Sequence, residues 1–243
     1  MSPPLLVIRG LVKDHKALRP LRVRDLEVPP GRALSVIGLD APGAEMLVHL
    51  VTGAALPDEG DVVLFGTNTR HIPDADAWLR SLDGLGLVSH RAVLVGALSV
   101  LQNVAMPLTL DLDPIDPSVR PAVEALAREA GIPDTTWDRP LAHVDAETNL
   151  RVRLARAVAP NPRLVIAEHP SAGLPREAVA PLARDVSRVM AARQAALVTL
   201  TADREWADHA RAEVLELSPR TGDLAAAGGG ILNRLTRAFG GRS

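Results

Sequence analysis

The fold of this chain can be inferred outward from one run of residues, Ala33-Leu34-Ser35-Val36-Ile37-Gly38-Leu39-Asp40-Ala41-Pro42-Gly43-Ala44-Glu45-Met46-Leu47. Its first five residues predict a buried strand, the two glycines bound a turn, and Met46 to Val51 predict the start of a helix. A strand, a glycine-bounded turn and a helix start form the frame of a phosphate-binding P-loop. The sequence therefore predicts an α/β core with such a loop after a central strand.

The side chains that give a P-loop its chemistry are missing from this frame. In the pattern G-x-x-x-x-G-K-[ST], the lysine contacts the terminal phosphates and the hydroxyl residue binds Mg²⁺. With Gly38 and Gly43 as the glycines of the pattern, Ala44 occupies the lysine position and Glu45 the hydroxyl position, followed by Met46. We expect Glu45 to place a carboxylate at the helix N-terminus, where a P-loop helix binds phosphate. That carboxylate would compete with the ligand.

Composition limits the possible classes of protein. The 243 residues fit one large domain with at most a small appendage, and the 47% of apolar residues can fill a sizeable core. The 27 basic and 29 acidic residues nearly balance, which argues against a nucleic-acid partner. The chain has no cysteine, which excludes disulfides and thiolate metal sites. We recognise no signal peptide and no apolar run of membrane-spanning length, so we expect a soluble, cytoplasmic protein.

Apolar runs and turn signals predict strands that alternate with helices. Such alternation indicates a parallel sheet with helices on its faces. The range 74–145 is mostly helical in pattern and is predicted to be a subdomain inserted into the α/β core of residues 1–227. The predicted strands are Leu5–Ile8, Leu21–Val28, Ala33–Ile37, Asp61–Gly66, Gly86–Val88, Arg163–Ala167, Ala196–Thr201 and Ala212–Leu217, and the later helices are Val100–Val104, Val119–Ala130, Asn149–Val158 and Glu177–Ala192.

A separate tail is predicted for residues 228–243, after a hinge of three glycines. Ile231, Leu232, Leu235 and Phe239 share one helical face, and arginines flank that face. A basic amphipathic helix of this kind can bind an anionic membrane surface or a partner groove. The alternative is a helix that folds back on its own domain or frays.

Four fragments in this order resemble the nucleotide-binding domain of ABC transporters, over nearly the whole chain to about Leu224. Each fragment is a weak match alone, but their order and spacing together indicate the P-loop NTPase-like ABC fold, a mixed sheet with flanking helices and an inserted helical subdomain. The fragments are Thr52–Gly60 after the P-loop helix, Val100–Leu108 in the helical subdomain, Arg151–Val158, and Asn161–Leu174, which is similar to the Walker B strand and D-loop.

The resemblance places the family's nucleotide-contacting positions on particular residues. The aromatic residue that stacks on adenine falls on His15, and the Walker A loop falls on Gly38 to Met46. The family's L-S-G-G-Q signature closes on the γ-phosphate of a nucleotide held by the opposite subunit. In this chain, it falls on Val144, Asp145, Ala146, Glu147 and Thr148, two of which are acidic.

The resemblance also assigns the catalytic positions. The Walker B aspartate falls on Glu168, the general base on His169, the Q-loop glutamine on His90, the D-loop aspartate on Pro175 and the switch histidine on Ala202. The family implies ATP and Mg²⁺ as cofactors. Because most of the charges on which phosphoryl transfer relies are replaced, we expect this chain neither to hydrolyse ATP productively nor to bind Mg-ATP tightly.

These observations predict a degenerate cassette that acts as a structural or coupling partner in a membrane transport complex. It would lie on the inner face of the membrane, beneath an integral membrane permease, as a homodimer or as a heterodimer with another cassette. Two alternatives stay open: an active ATPase that uses Glu168 and His169, and a soluble regulatory scaffold.

Three further clusters carry hypotheses. His90, Glu168 and His169 could form a two-histidine, one-carboxylate metal cluster, but histidines at separate loop ends are more often structural, so we predict no metal site. Glu45 could instead form an ion pair with His169 that fills the empty phosphate pocket. Three arginines of one predicted helix, Arg151, Arg153 and Arg156, are interpreted as its solvated or subunit-facing side.

Overall fold

The computed structural model describes residues 2–226. The predicted tail, 228–243, lies outside these residues. The strands are β1 (Leu6–Lys13), β2 (Leu21–Val28), β3 (Ala33–Ile37), β4 (Glu59–Leu64), β5 (Thr67–Asn68), β6 (Leu85–Val88), β7 (Leu164–Glu168), β8 (Ala196–Leu200), β9 (Glu213–Leu217) and β10 (Leu224–Ala226). The α-helices are α1 (Ala41–Val51), α2 (Ala75–Ser81), α3 (Val100–Ala105), α4 (Arg120–Glu129), α5 (Ala146–Val158), α6 (Arg176–Ala192) and α7 (Arg204–His209).

The central layer is a six-stranded sheet in the order β10-β9-β3-β8-β7-β6. Five of its strands are parallel, and only the edge strand β10 runs antiparallel to its neighbour β9. Helices cross over between the parallel strands and cover the sheet, as parallel pairing requires. The predicted P-loop NTPase-like ABC fold, a mixed sheet with flanking helices, is confirmed.

A second, four-stranded antiparallel sheet has the order β2-β1-β4-β5. It starts at the pair Leu6 and Val28, and its strands alternate buried and exposed side chains. This alternation is typical of a sheet with one solvated face. The strand pattern alone predicts one parallel sheet, and this separate layer is a difference from that prediction.

Two apolar cores lie on the two faces of the central sheet. Val165 and Ala167 of β7 pack into the core that holds α3, α4, α5 and α6. Leu164 and Ile166 of the same strand pack into the core shared with α1 and the antiparallel sheet. Successive residues of a strand point to opposite faces, so a continuous apolar run serves both cores.

Helix and strand boundaries differ from the predictions in places that affect the site. Helix α1 begins at Ala41, five residues before the predicted start at Met46. β6 lies inside the range 74–145 of the predicted helical subdomain, yet it pairs in parallel with β7 in the central sheet. The helices α3 and α4 follow after it. The division into domains stays a prediction.

Helix length and hydropathy bear on membrane insertion. Over residues 2–226, every helix is too short or too polar to cross a bilayer.

Candidate functional site

The loop after β3 ends in a helix start that is capped by the chain itself. Asp40 is the N-cap of α1, and its Oδ1 accepts a hydrogen bond of 2.9 Å from the main-chain N–H of Gly43. The free N–H groups of a helix start and the helix dipole favour an anion there. In this chain the carboxylate of Asp40 is that anion.

Packing in this loop requires both of its glycines. A Cβ atom at Gly38 would lie 2.5 Å from the carbonyl oxygen of Leu217, and the φ angle of Gly38 is +97°. A Cβ atom at Gly43 would lie 2.8 Å from Oδ1 of Asp40. The glycine frame of the loop therefore has a structural cause that needs no phosphate.

The two positions after Gly43 point in different directions. Ala44 is fully buried in the core between the sheets, and its main-chain N–H donates to the carbonyl of Asp40 at 2.9 Å. Glu45 is the fifth residue of α1, so its carboxylate is one turn away from the helix start. The prediction that Glu45 supplies the anion at the helix N-terminus is therefore wrong, and Asp40 supplies it.

Arg91 joins Glu45 to the end of β7. Its Nη1 lies 2.6 Å from Oε1 of Glu45, and its Nη2 lies 2.6 Å from Oε2 of Glu168. The hydroxyl of Ser89 donates to the same Oε2 atom at 2.8 Å, and Nη1 of Arg91 also lies 3.3 Å from Nε2 of His49. The side chain of Glu168 is only 10% exposed, whereas that of Arg91 is 35% exposed. One guanidinium thus compensates a buried and a half-exposed carboxylate.

The loop that carries Arg91 is fixed by two arginines of α5. Nη1 of Arg153 donates to the carbonyl of Ser89 at 2.7 Å and to that of Ala92 at 2.5 Å. Nη1 of Arg156 donates to the carbonyl of Val93 at 2.7 Å. Partial burial lowers the pKa of both guanidinium groups, and the positive charge of Arg156 lowers the pKa of Arg153 further.

The arginines of α5 are therefore not the solvated face that the sequence suggested. Arg151 is 8% exposed and donates to Glu147 at 2.9 Å, to Asp185 at 2.8 Å and to the carbonyl of Ala130. Together with the contacts of Arg153 and Arg156, these bonds show that all three cations bind groups of the same chain.

Four of the five predicted catalytic positions, all except Pro175, line one open cavity of about 580 Å³. Its wall includes His90, Arg91, Glu168, His169 and Ala202. The structure thus brings these four positions together, and Arg91, which the sequence did not single out, lies among them. Their catalytic roles stay predictions.

The two histidines of this cavity sit in different environments. Partial desolvation, followed by the charge of Arg153, lowers the pKa of His90, although Glu168 opposes the shift. His169 has a φ angle of +41°, and its main-chain N–H donates to the carbonyl of Leu200 at 2.8 Å. Within residues 2–226, the buried Nε2 atom of His169 has no hydrogen-bond partner.

Two hypotheses about this cavity are not supported by its contacts. Among the described residues, Glu45 forms an ion pair with Arg91 and has Oε1 4.0 Å from Nε2 of His49, but it forms no ion pair with His169. Over the same residues, no group of three His, Cys, Asp or Glu side chains is arranged to hold a metal ion. The two-histidine, one-carboxylate cluster is therefore not formed.

The switch position is followed by a helix cap. Ala202 is exposed and has no polar side chain. Asp203 caps α7 by accepting from the main-chain N–H of Glu205 at 3.0 Å, and it pairs with Arg176 at 3.2 Å. Desolvation would raise the pKa of Asp203, but hydrogen bonds, first from Ser171 and then from the helix start and Arg176, lower it overall.

The signature positions Val144 to Thr148 form the start of α5. Oδ1 of Asp145 accepts a hydrogen bond of 2.7 Å from the main-chain N–H of Thr148, and this bond lowers the pKa of Asp145. Ala146 is the first helical residue, and Glu147 pairs with Arg151. The α5 start therefore has the same arrangement as the α1 start, with its own aspartate as the anion.

His15 lies on the other side of the phosphate loop. It lines a cavity of about 280 Å³ together with Gly38, Asp40, Gly43 and the segment 17–22. The side chain of His15 is half-buried, and its Nδ1 lies 3.4 Å from the carbonyl of Lys13. His15 thus lies beside the Walker A positions, and its role as the adenine-stacking position stays a prediction.

The residues around the loop do not fit Mg-ATP. The carboxylate of Asp40 already holds a helix-start N–H and would face phosphate charge. The buried Ala44 offers no cation, and Arg91 already pairs with the carboxylates of Glu45 and Glu168.

Sequence reasoning missed Asp40 and Arg91. Asp40 was identifiable because an aspartate three residues before Gly43 and directly before Ala41-Pro42 is a typical N-cap signal. Arg91 was not identifiable in this way, because the sequence did not predict that the strand before it pairs with the strand that ends at Glu168. Attention to motif positions alone passes over both residues.

Solved structures define the class of this fold. The chain is similar to a dimeric post-hydrolysis state of the ATP-binding cassette MJ0796 bound to ADP and Pi, with a TM-score of 0.71, 17% identity, and coverage of 91% of this chain and 98% of that chain. It is also similar to cbiO1 from Clostridium perfringens, part of the ABC transporter complex cbiONQ, with a TM-score of 0.72, 15% identity, and coverage of 98% and 97%. The fold is that of an ATP-binding cassette.

Sequence relatives show the family. The lipoprotein-releasing system ATP-binding protein LolD 2 of Caulobacter vibrioides is 34% identical over 182 residues, which cover 72% of this chain and 77% of the relative. LolD of Alcanivorax borkumensis is 31% identical over 85% of this chain and 91% of its own length. The methionine import ATP-binding protein MetN of Chromohalobacter salexigens is 31% identical over 76% of this chain and 54% of its own length. No family model matches the chain. The chain belongs to the ABC transporter ATP-binding cassette family.

Proposed function

We propose that this chain is an ATP-binding cassette subunit of a membrane transport complex in which its own nucleotide site does no hydrolysis. It acts as a structural or coupling partner that binds an integral membrane permease and lies peripherally on the inner face of the membrane. The observation that carries this proposal is the Asp40 cap: its carboxylate takes the helix-start N–H group of Gly43 at 2.9 Å.

The electrostatics of the loop support the proposal. A phosphate chain that approaches α1 meets the negative charge of Asp40 and gains no compensating cation from Ala44. Unit charges 4 Å apart interact by about 4 kcal/mol at an effective dielectric constant of about 20. Repulsion of this order exceeds the free energy of up to about 2 kcal/mol that a helix N-terminus contributes to binding an anion. Mg-ATP therefore binds weakly.

The start of α5 supports the same conclusion for a partner's nucleotide. In this family the signature segment closes on a nucleotide held by the opposite subunit, and here Asp145 occupies the free N–H group of Thr148. The neighbouring Glu147 adds a second negative charge. A homodimer of this chain, or a heterodimer with another cassette, would therefore have two impaired composite sites. Coupling to the permease then depends on contacts of the fold rather than on ATP at this subunit.

The relatives support the role in transport. LolD and MetN are named for lipoprotein release and methionine import. These two names differ in substrate and in direction, so the proposal extends to the transport complex and not to a substrate. Co-purification of the full chain with an integral membrane protein tests this part, and a chain recovered alone from membranes and cytosol would contradict it.

Calorimetric titration with Mg-ATP tests the silent site. We expect no binding heat from the wild-type chain at micromolar ATP. In a separate hydrolysis assay, we expect it to release no phosphate. The triple variant Asp40→Ser, Ala44→Lys, Glu45→Ser restores the P-loop pattern and is expected to bind ATP more tightly. Ala44→Lys alone is the matched control, because it adds the cation while Asp40 and Glu45 remain.

A wild-type chain that binds Mg-ATP tightly and hydrolyses it would contradict the proposal. Loss of that activity in His169→Ala would then support the alternative, an ATPase that uses Glu168 and His169. The buried Nε2 atom of His169, which lacks a partner within residues 2–226, is the observation that keeps this alternative in view.

A further inference from the structure

We propose that the guanidinium of Arg91 is a built-in counter-cation that keeps divalent metal ions out of the space between Glu45 and Glu168. The inference rests on the proposed function, because it explains how a silent site stays closed without a ligand. Glu45 and Glu168 occupy Walker A and Walker B positions, but no motif position of the family assigns Arg91, which follows the Q-loop position rather than occupying it.

The geometry places one cation between two carboxylates from different elements. Glu45 comes from α1 and Glu168 from the end of β7, and each has an oxygen 2.6 Å from a different nitrogen of the same guanidinium. A guanidinium presents its donors in a rigid planar fork, which suits two simultaneous carboxylate contacts. Arg91 therefore joins α1 to the central sheet.

The burial of Glu168 makes a cation necessary at this position. Its side chain is 10% exposed, and burying an unpaired carboxylate is strongly unfavourable. The hydroxyl of Ser89 contributes one neutral hydrogen bond, which leaves the charge uncompensated. Without Arg91, Glu45 and Glu168 would form a pair of like charges that favours binding of an external cation.

The ligand chemistry identifies that external cation as a hard divalent ion. Carboxylate and hydroxyl oxygens are the ligands that Mg²⁺ and Mn²⁺ prefer, and Glu45, Glu168 and Ser89 supply both kinds. Arg91 competes with such an ion from within the chain. A tethered group has an effective concentration of about millimolar or more, so it excludes ions that bind only weakly.

Anchoring of the loop keeps Arg91 in this position. The carbonyls on both sides of it, of Ser89 and of Ala92 and Val93, accept hydrogen bonds from Arg153 and Arg156. A guanidinium on a fixed loop loses less conformational freedom when it pairs than one on a mobile loop does. The helix α5 thus supports the position of the counter-cation.

Titration of the full chain with Mn²⁺ in the absence of nucleotide, followed by electron paramagnetic resonance, tests the proposal. We expect Arg91→Ala to bind one Mn²⁺ at least about tenfold more tightly than the wild type, because a lost internal competitor at about millimolar effective concentration raises the apparent affinity. Arg91→Lys keeps a cation and is expected to exclude Mn²⁺ like the wild type. Arg80→Ala removes an exposed arginine on α2 and is the matched control.

A double variant locates the bound ion. If the ion binds between the two carboxylates, Glu45→Gln added to Arg91→Ala abolishes the gain. Equal Mn²⁺ binding by wild type and Arg91→Ala, or an undiminished gain in the double variant, overturns the inference. Should Arg91→Ala fail to fold, Arg91→Gln, which keeps part of the side chain, gives the same comparison.

Because no nucleotide is present, failure of this test leaves the proposed function unaffected. Conversely, tight Mg-ATP binding by the wild type would contradict the proposed function but would not alter the Mn²⁺ comparison between the variants.

Discussion

Nη1 of Arg153 lies 2.7 Å from the main-chain carbonyl oxygen of Ser89, so that α5 holds the loop that leaves the central sheet at β6. The same nitrogen reaches the carbonyl of Ala92, on the other side of His90 and Arg91. The start of α5 holds the signature positions, and its middle holds this loop. Helix α5 therefore connects the signature positions, 144–148, with the loop 89–93, which holds the Q-loop position His90. The resemblance assigns these two segments to opposite composite sites.

Arg153→Met is expected to loosen the loop 89–93. Two hydrogen bonds from a charged donor are lost, and each contributes about 1.5–3 kcal/mol at most, less here because the side chain is partly exposed. A local loss of about 1.4 kcal/mol raises amide exchange about tenfold. Hydrogen exchange measured by mass spectrometry checks this. Arg188→Met, which changes an exposed arginine on α6, is the control, and unchanged exchange in 89–93 would contradict the anchoring role.

The pKa of His90 is expected to lie below its usual 6.5, because partial desolvation and then the charge of Arg153 favour the neutral ring. A lowered pKa in the folded state means that the unfolded state binds more protons. His90 therefore does not change the free energy of unfolding above about pH 6.5. As the pH drops through 6.5 toward the folded-state pKa, its protonation in the unfolded state lowers that free energy. An NMR titration of the His90 ring measures the pKa directly.

Two variants separate the causes of this shift. Arg153→Met removes the smaller cause and should raise the pKa of His90 without restoring it fully. His90→Gln removes the titration, so its stability should depend less on pH than that of the wild type between about pH 7 and 5. A pKa of His90 at or above 6.5 in the wild type would refute the assigned environment.

Much of the fold was predictable because its strands carry clear patterns. The alternation in Leu21–Val28 and the apolar run Ala33–Ile37 gave both strands with their observed bounds. The start of α1 was misplaced because Pro42 and Gly43 suggest a loop, although proline is favourable in the first turn of a helix. The short elements β5, β10 and α7 contain too few residues for a periodic pattern of apolar side chains to be recognised.

The site was only partly predictable, since pairing of charges depends on which loops meet. The positions that motif spacing assigned to His90, Glu168, His169 and Ala202 line one cavity, whereas Pro175 does not line it. Spacing could not show that Glu45 lies a full turn inside α1 or that it pairs with Arg91. That contact joins residues 46 positions apart in the chain. It follows from the packing of α1 beside β7 and beside the loop that follows β6.

Asp145→Ala is expected to destabilise the protein by about 1 kcal/mol, the usual cost of removing an N-cap side chain. Asp145→Asn keeps a capping acceptor and should cost less. Hydrogen bonds from Thr148 lower the pKa of Asp145 in the folded state, so its charge stabilises the fold above the usual pKa of an unfolded aspartate, about 3.9. This advantage is lost as the pH falls through the folded-state pKa.

Urea unfolding of the three proteins at several pH values tests the cap. The difference between wild type and Asp145→Asn should shrink below about pH 4, because only the aspartate titrates there. A pH-independent difference would mean that the charge of Asp145 contributes nothing and that the side chain acts only as an acceptor.

Arg151→Met is expected to give the largest loss of stability among these substitutions, about 2–4 kcal/mol. Arg151 is 8% exposed, and its removal leaves Asp185, Glu147 and the carbonyl of Ala130 without their common donor. The exposure of Asp185 and Glu147 lets water replace part of this loss, which places the estimate below the cost of breaking a fully buried pair. Arg188→Met removes the other, exposed partner of Asp185 and should change stability by less than about 0.5 kcal/mol. Urea unfolding of both variants decides the matter: similar losses would show that Arg151 acts as a surface charge, whereas a gap of 2 kcal/mol or more, about 30-fold in the equilibrium constant, would establish it as the internal link between α4, α5 and α6.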